Sequence, residues 1–156
     1  MIPISKEEIF GQCSITHAHQ NCLDCDLIFV GALKDSLNGL SKAQIFANAK
    51  NTALALNKEI YELLIQVLNL SWDEIYTEGF VIETLAFSFW ALLNYESFEE
   101  SLIRVVNRGG DADTLGATTG ALCGAYYGKE SIPERWLSVL EERGEITEIL
   151  STFNAS

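Results

Sequence analysis

A chain of 156 residues that is 48% hydrophobic and 21% charged is long enough to bury its own core and too apolar to be a disordered segment. Ten basic side chains against 22 acidic ones leave a formal net charge of −12. That charge repels phosphate backbones and anionic lipid, so neither nucleic acid nor a membrane is an expected partner. No apolar run has the length of a spanning helix, no stretch has the form of a secretory signal, and four cysteines are too few for a disulfide scaffold, so the expectation is one cytoplasmic domain over residues 1–156.

Helix-start signals punctuate the chain. Ser or Thr followed three residues later by Glu or Gln allows two orphan N–H groups to be capped reciprocally, and five such pairs occur: Ser5 with Glu8, Ser41 with Gln44, Ser71 with Glu74, Ser97 with Glu100, and Ser131 with Glu134, the last with Pro133 in its first turn. Between the first two, Cys13, His17, His19, Cys22 and Cys25 crowd into a short segment. The Cys22-Leu23-Asp24-Cys25 spacing fits a zinc knuckle or a redox pair, but two small buried residues one turn apart on a helix are the expectation.

From Ser41 onward, Ile45, Phe46, Ala49, Ala53 and Leu56 form one apolar stripe, and Ile60, Leu63, Leu64, Val67 and Leu68 form another, the marks of two amphipathic helices. Val81 to Tyr95 is apolar almost all round, which predicts a helix buried on most sides. Residues 97–107 and 112–127 predict two more, separated by Arg108-Gly109-Gly110, where glycine gives the backbone room to reverse. Gly116, Ala117, Gly120, Ala121, Gly124 and Ala125 leave the second of these slim enough for close helix packing. The pairs Glu7-Glu8, Glu99-Glu100 and Glu141-Glu142 read as solvated helix faces. No stretch alternates with the period of a strand, so the fold is expected to be all-α, a compact orthogonal helix bundle.

One run stands apart in its chemistry. Asp111, Asp113 and Thr114 offer two carboxylates and a hydroxyl at a helix start, all hard oxygen donors of the kind Mg²⁺, Mn²⁺ and Ca²⁺ take. Acidic residues at a glycine-rich helix start also serve as plain caps, and composition does not decide between the two. An EF-hand is excluded, because Leu115 and Gly116 break its ligand spacing.

Several segments together carry a resemblance. They are Gly79-Phe80-Val81-Ile82-Glu83-Thr84-Leu85, Phe98-Glu99-Glu100, Val106-Asn107-Arg108-Gly109-Gly110-Asp111-Ala112-Asp113-Thr114, the run from Gly120 to Gly128, Ile132-Pro133 with Trp136, and Ser14-Ile15-Thr16-His17. In this order they resemble the C-terminal half of the ADP-ribosylglycohydrolases. The resemblance implies Mg²⁺-dependent (or Mn²⁺-dependent) hydrolysis of the glycosidic bond between ADP-ribose and a modified side chain. It further implies that Asp111, Asp113 and Thr114 are ligands of a binuclear metal centre, and that Phe80, His17 and Gly110 face the substrate.

Members of that family also carry an N-terminal Gly-Asp-rich region and a Thr-Asp-Asp-Thr stretch that supply the other metal ligands, and neither occurs here. The fold is thus expected to be truncated on its N-terminal side, and no catalytic residue is assigned. Three readings follow: one part of a split enzyme, a non-catalytic binding module descended from one, or a truncated product. Each leaves apolar surface for a homo-oligomer or a complementing partner chain to cover.

Overall fold

A computed structural model describes residues 4–141 and 143–154. Among these residues there are nine α-helices and no strand: α1 (Lys6–Cys13), α2 (Gln20–Leu37), α3 (Lys42–Leu56), α4 (Lys58–Gln66), α5 (Val81–Asn94), α6 (Phe98–Val106), α7 (Ala112–Tyr127), α8 (Glu134–Leu137) and α9 (Arg143–Asn154). The fold is all-α, as the helical periodicities require. No helix among the described residues is long and apolar enough to cross a membrane.

The capping pairs behave unequally. Ser5 with Glu8 and Ser41 with Gln44 close complete boxes and open α1 and α3. Ser97 caps α6 by accepting from the Glu100 N–H. Ser71 closes a box with Glu74, yet only a 3₁₀ turn, Trp72–Glu74, follows, because Ile75 takes extended backbone and buries its side chain completely. Ser131 and Glu134 form no box, contrary to expectation. The Ser131 hydroxyl donates back to the Gly128 carbonyl at 2.6 Å, Glu134 turns to Arg143, and Pro133 starts the four-residue α8. Of the acidic pairs, Glu7 and Glu8 are exposed as expected, Glu99 is half-buried and paired with Arg135, and Glu142 lies outside the described residues.

Helix α5 is the axle of the molecule. Every residue from Thr84 to Leu92 is buried, and the helix packs against α2, α3, α4, α6 and α7. Phe89 meets Phe46 of α3 with ring centroids 5.6 Å apart. Its buried polar groups are all hydrogen-bonded: Thr84 and Ser88 donate to the carbonyls one turn back, and the Trp90 indole donates to the Leu70 carbonyl at 2.8 Å. Ile28, Ile45, Ile60, Leu64, Leu115 and Leu122 complete the core around it, each contributing about 1.5–3 kcal/mol through burial.

The slim face of α7 has a defined partner. Gly116, Gly120 and Gly124 form one row, and Val106, Leu102 and Phe98 of α6 lie over them in antiparallel order. A Cβ added at Gly116 would sit 3.0 Å from the Val106 side chain, and those added at Gly120 and Gly124 would sit 3.8 and 3.7 Å from Leu102 and Phe98. Ridge and groove are thus matched along the helix pair, and this sets how the α6–α7 turn leaves it.

Candidate functional site

Two loops are fastened together beside the N-terminus of α7. The first, residues 71–80, leads into α5; the second, residues 107–111, joins α6 to α7. The Arg108 guanidinium lies over the rings of Trp72 and Tyr76, 5.5 and 5.8 Å from their centroids, and donates to the Asp73 carbonyl at 2.6 Å. The Trp72 indole donates to the Arg104 carbonyl at 3.0 Å, and the Asp111 N–H donates to the Thr77 carbonyl at 2.9 Å. Thr77 is buried, and its hydroxyl accepts from the Gly79 N–H.

Two glycines make that contact sterically feasible. Gly110 has φ +70°, and a Cβ there would stand 2.5 Å from the Thr77 carbonyl oxygen and 2.9 Å from the Tyr76 ring. Gly79 has φ +93°, and a Cβ there would collide with the Asp111 carboxylate. Both positions need the left-handed backbone and the missing side chain together. The result is an Asp111 carboxylate laid directly against the Gly79 backbone, next to Phe80.

Asp111 is the residue before α7 and makes no side-chain cap bond, so its carboxylate is not spent on capping. Asp113 is in the first turn, and its carboxyl is held below the ordinary aspartate range by hydrogen bonding with the Asp111 carboxyl and by the Thr114 and Asp113 N–H groups. Two carboxyl groups in that proximity at a helix N-terminus suit a hard divalent cation, and the Thr114 hydroxyl adds a third oxygen. The donor set fits such an ion but does not complete its coordination. Among the described residues, no three of His, Cys, Asp and Glu converge so as to hold a metal ion.

Thr114 also faces a cavity of about 660 Å³, within the range of small-molecule sites. Its lining comes from three places in the chain: the end of α1, the start of α2 and the turn between them, with His17, Thr16 and Cys22; the segment Gly79, Phe80 and Val81; and Thr114 with Thr118 of α7. Three residues singled out in the sequence, His17, Phe80 and Thr114, therefore line one space. The His17 Nδ1 and the Thr16 hydroxyl are 2.8 Å apart, which orients the ring. Phe80 is 48% exposed, an aromatic face available for stacking. Gly110 is not among the lining residues; it packs beneath Thr77 and Tyr76.

The thiol-rich segment belongs to the α1–α2 part of that lining. Cys13, Cys22 and Cys25 all line the cavity, while the His19 Nδ1 is engaged, accepting from the Asn21 N–H as the cap of α2. Burial pushes the Cys25 thiol up to about 12. Among the residues that sequence reasoning passed over are Arg108, Tyr76 and Thr77, which lock the two loops. Another is buried Asp24, which accepts from the side-chain amides of Gln20 at 2.8 Å and Asn57 at 3.2 Å and so ties α2 to the start of α4.

The model of the ADP-ribosylglycohydrolase family matches residues 5–155. The ADP-ribosylarginine hydrolase of Pseudomonas putida is 30% identical over 134 residues, 83% of this chain and 34% of that protein. The ADP-ribosyl-dinitrogen reductase glycohydrolase of Rhodospirillum rubrum is 39% identical over 69 residues, 44% of this chain and 24% of that protein. A solved ADP-ribosylglycohydrolase-related protein complex shares the fold with TM-score 0.71 at 34% identity, over 85% of this chain and 46% of that one. The chain thus spans about a third of the length of the Pseudomonas relative.

Proposed function

Because the chain belongs to the ADP-ribosylglycohydrolase family, we propose that it forms part of an Mg²⁺-dependent (or Mn²⁺-dependent) hydrolase that cleaves the bond between ADP-ribose and a modified side chain. A complementing polypeptide supplies the remaining metal ligands. The observation that carries this reading is the juxtaposition of Thr114 with His17 and Phe80 around one cavity, with the Asp111 carboxylate against Gly79, which also lines it. In it Asp111, Asp113 and Thr114 would hold the metal, which would supply Lewis-acid charge stabilisation and activation of water.

The chain's own groups do the positioning. Phe80 stacks against a planar or sugar face of the ligand, and His17 hydrogen-bonds a polar edge from the α1–α2 turn. Gly79 brings the backbone against the Asp111 carboxylate, so a ligand seated on Phe80 lies next to the charged rim. Relatives named for ADP-ribosylated arginine and for dinitrogen reductase make ADP-ribosyl-arginine the first substrate to test.

A second reading is a module that binds ADP-ribosyl groups without turnover. It is favoured by the incomplete ligand set among the described residues. One experiment separates the two: release of ADP-ribose from ADP-ribosyl-arginine with Mg²⁺, by the chain alone and with candidate complementing polypeptides, alongside calorimetric titration with ADP-ribose. Turnover only in the mixture, abolished by Asp111→Ala and Asp113→Ala, supports the split enzyme. Binding without turnover in any mixture supports the module, and neither binding nor turnover removes both.

A further inference from the structure

Three of the four cysteines share one place in the fold. Cys13 is the last residue of α1, Cys22 is in the first turn of α2, and Cys25 follows one turn later; all three are free and line the cavity. The Gln12 side-chain amide donates to Asp26 at 2.8 Å, which fixes the register of α1 against α2 and sets the end of one opposite the start of the other. Cys13 and Cys22 are half-buried and open to the cavity, whereas Cys25 is buried. The Cys13 thiol donates to the His17 carbonyl at 3.4 Å, so the reduced sulfur helps hold the turn that presents His17.

From this juxtaposition we infer that Cys13 and Cys22 are an oxidisable pair in the cavity wall, a modification site at which a hydroperoxide converts two thiols to a disulfide and thereby re-pins the His17 turn. The chemistry balances within the pair. One thiolate attacks the peroxide O–O bond, giving a sulfenic acid, and the departing oxygen takes up a proton and leaves as water or an alcohol; the other thiol attacks that sulfur, the S–S bond forms, and the sulfenic oxygen leaves as water. Two electrons pass from the sulfurs to the peroxide. The Cys13 Sγ–H is consumed, and with it the hydrogen bond to the His17 carbonyl.

Partial burial, then Asp26 and the Cys22 sulfur, push the Cys13 thiol up, so its thiolate is scarce near neutrality and the pair oxidises faster as pH rises. Cys25, at about 12, stays protonated and out of the exchange. The oxidation is independent of what the cavity binds, so its failure and that of the proposed hydrolase are distinguishable.

The test is to treat the reduced full chain with stoichiometric hydrogen peroxide, count free thiols, and map the linkage by mass spectrometry under non-reducing conditions. The expected result is a fall from four free thiols to two, a Cys13–Cys22 linked peptide reversed by dithiothreitol, and movement of the His17 ring resonances. Cys25→Ser should oxidise in the same way. Cys22→Ser should give no bridge within the chain and leave His17 unmoved, and Cys13→Ser at the open end of α1 serves if Cys22→Ser fails to fold. A Cys22–Cys25 bridge, a bridge between chains, or oxidation to sulfinic acid without a bridge overturns the inference.

Discussion

Helix α5 and the turn that opens α7 are joined where Gly79, in the loop that leads into α5, touches Asp111, but they are held by opposite means. The helix is fixed by volume, with nine consecutive buried residues and neighbours on every side. The turn is fixed by a few directional contacts, namely Arg108 between two aromatic rings, one backbone hydrogen bond to Thr77, and two glycines with no side chain to obstruct them. Damage to the first is expected to appear as lost stability. Damage to the second should appear as lost geometry at the charged rim with the core intact.

The sharpest test of that division is at the core. Phe89→Ala removes a fully buried ring and should cost about 3–5 kcal/mol in urea denaturation, while the folded fraction should match the parent in the Mg²⁺ titration that tests the proposed site. Next is Gly110→Ala. Positive φ and the collision with the Thr77 carbonyl should cost about 1–3 kcal/mol, with Mg²⁺ binding by calorimetry lost; retained binding would show that the glycine contact does not place Asp111. Arg108→Ala should cost about 1–2 kcal/mol and shift Trp72 fluorescence as the loops part. An unchanged spectrum would mean that the loops hold without it.

The smallest effect concerns pH. The Glu74 carboxyl is held below its ordinary value by the Ser71 N–H and hydroxyl. A lowered folded-state pKa means that this capping contribution is fully present above the unfolded glutamate value and is lost as pH falls through the depressed one. Melting temperature should therefore fall slightly more on acidification for the parent than for Glu74→Gln. Parallel curves would show that the box does not anchor the first loop.

How much of this could be read from sequence follows the same division. The helix over 81–95 and the one over 112–127 were legible because volume leaves a periodic trace, and the structure starts and ends them within a residue of expectation. Helix α2 was less visible, since His19 replaces the usual Ser or Thr cap and cysteines soften its apolar stripe. The Ser131–Glu134 pair misled because Ser131 ends a 3₁₀ turn, Lys129–Ser131, and Pro133 is the residue that precedes α8. At the site, the acidic run was plain from composition. Its neighbours were not: Thr77, Tyr76 and Arg108 carry no local signal, and their roles arise only when α5 and α7 bring separate loops together.

The glycine row of α7 has a consequence beyond packing. Gly116 is the tightest of the three contacts and lies little more than a turn from Asp111, so the row acts as a gauge block that sets the gap between two beams, and the acidic rim is the pointer at their end. A methyl group added at Gly116 touches no part of the cavity, yet it presses on the Val106 side chain at the end nearest the pointer. The site can therefore be detuned from its far side, by a change that leaves every donor atom in the chain.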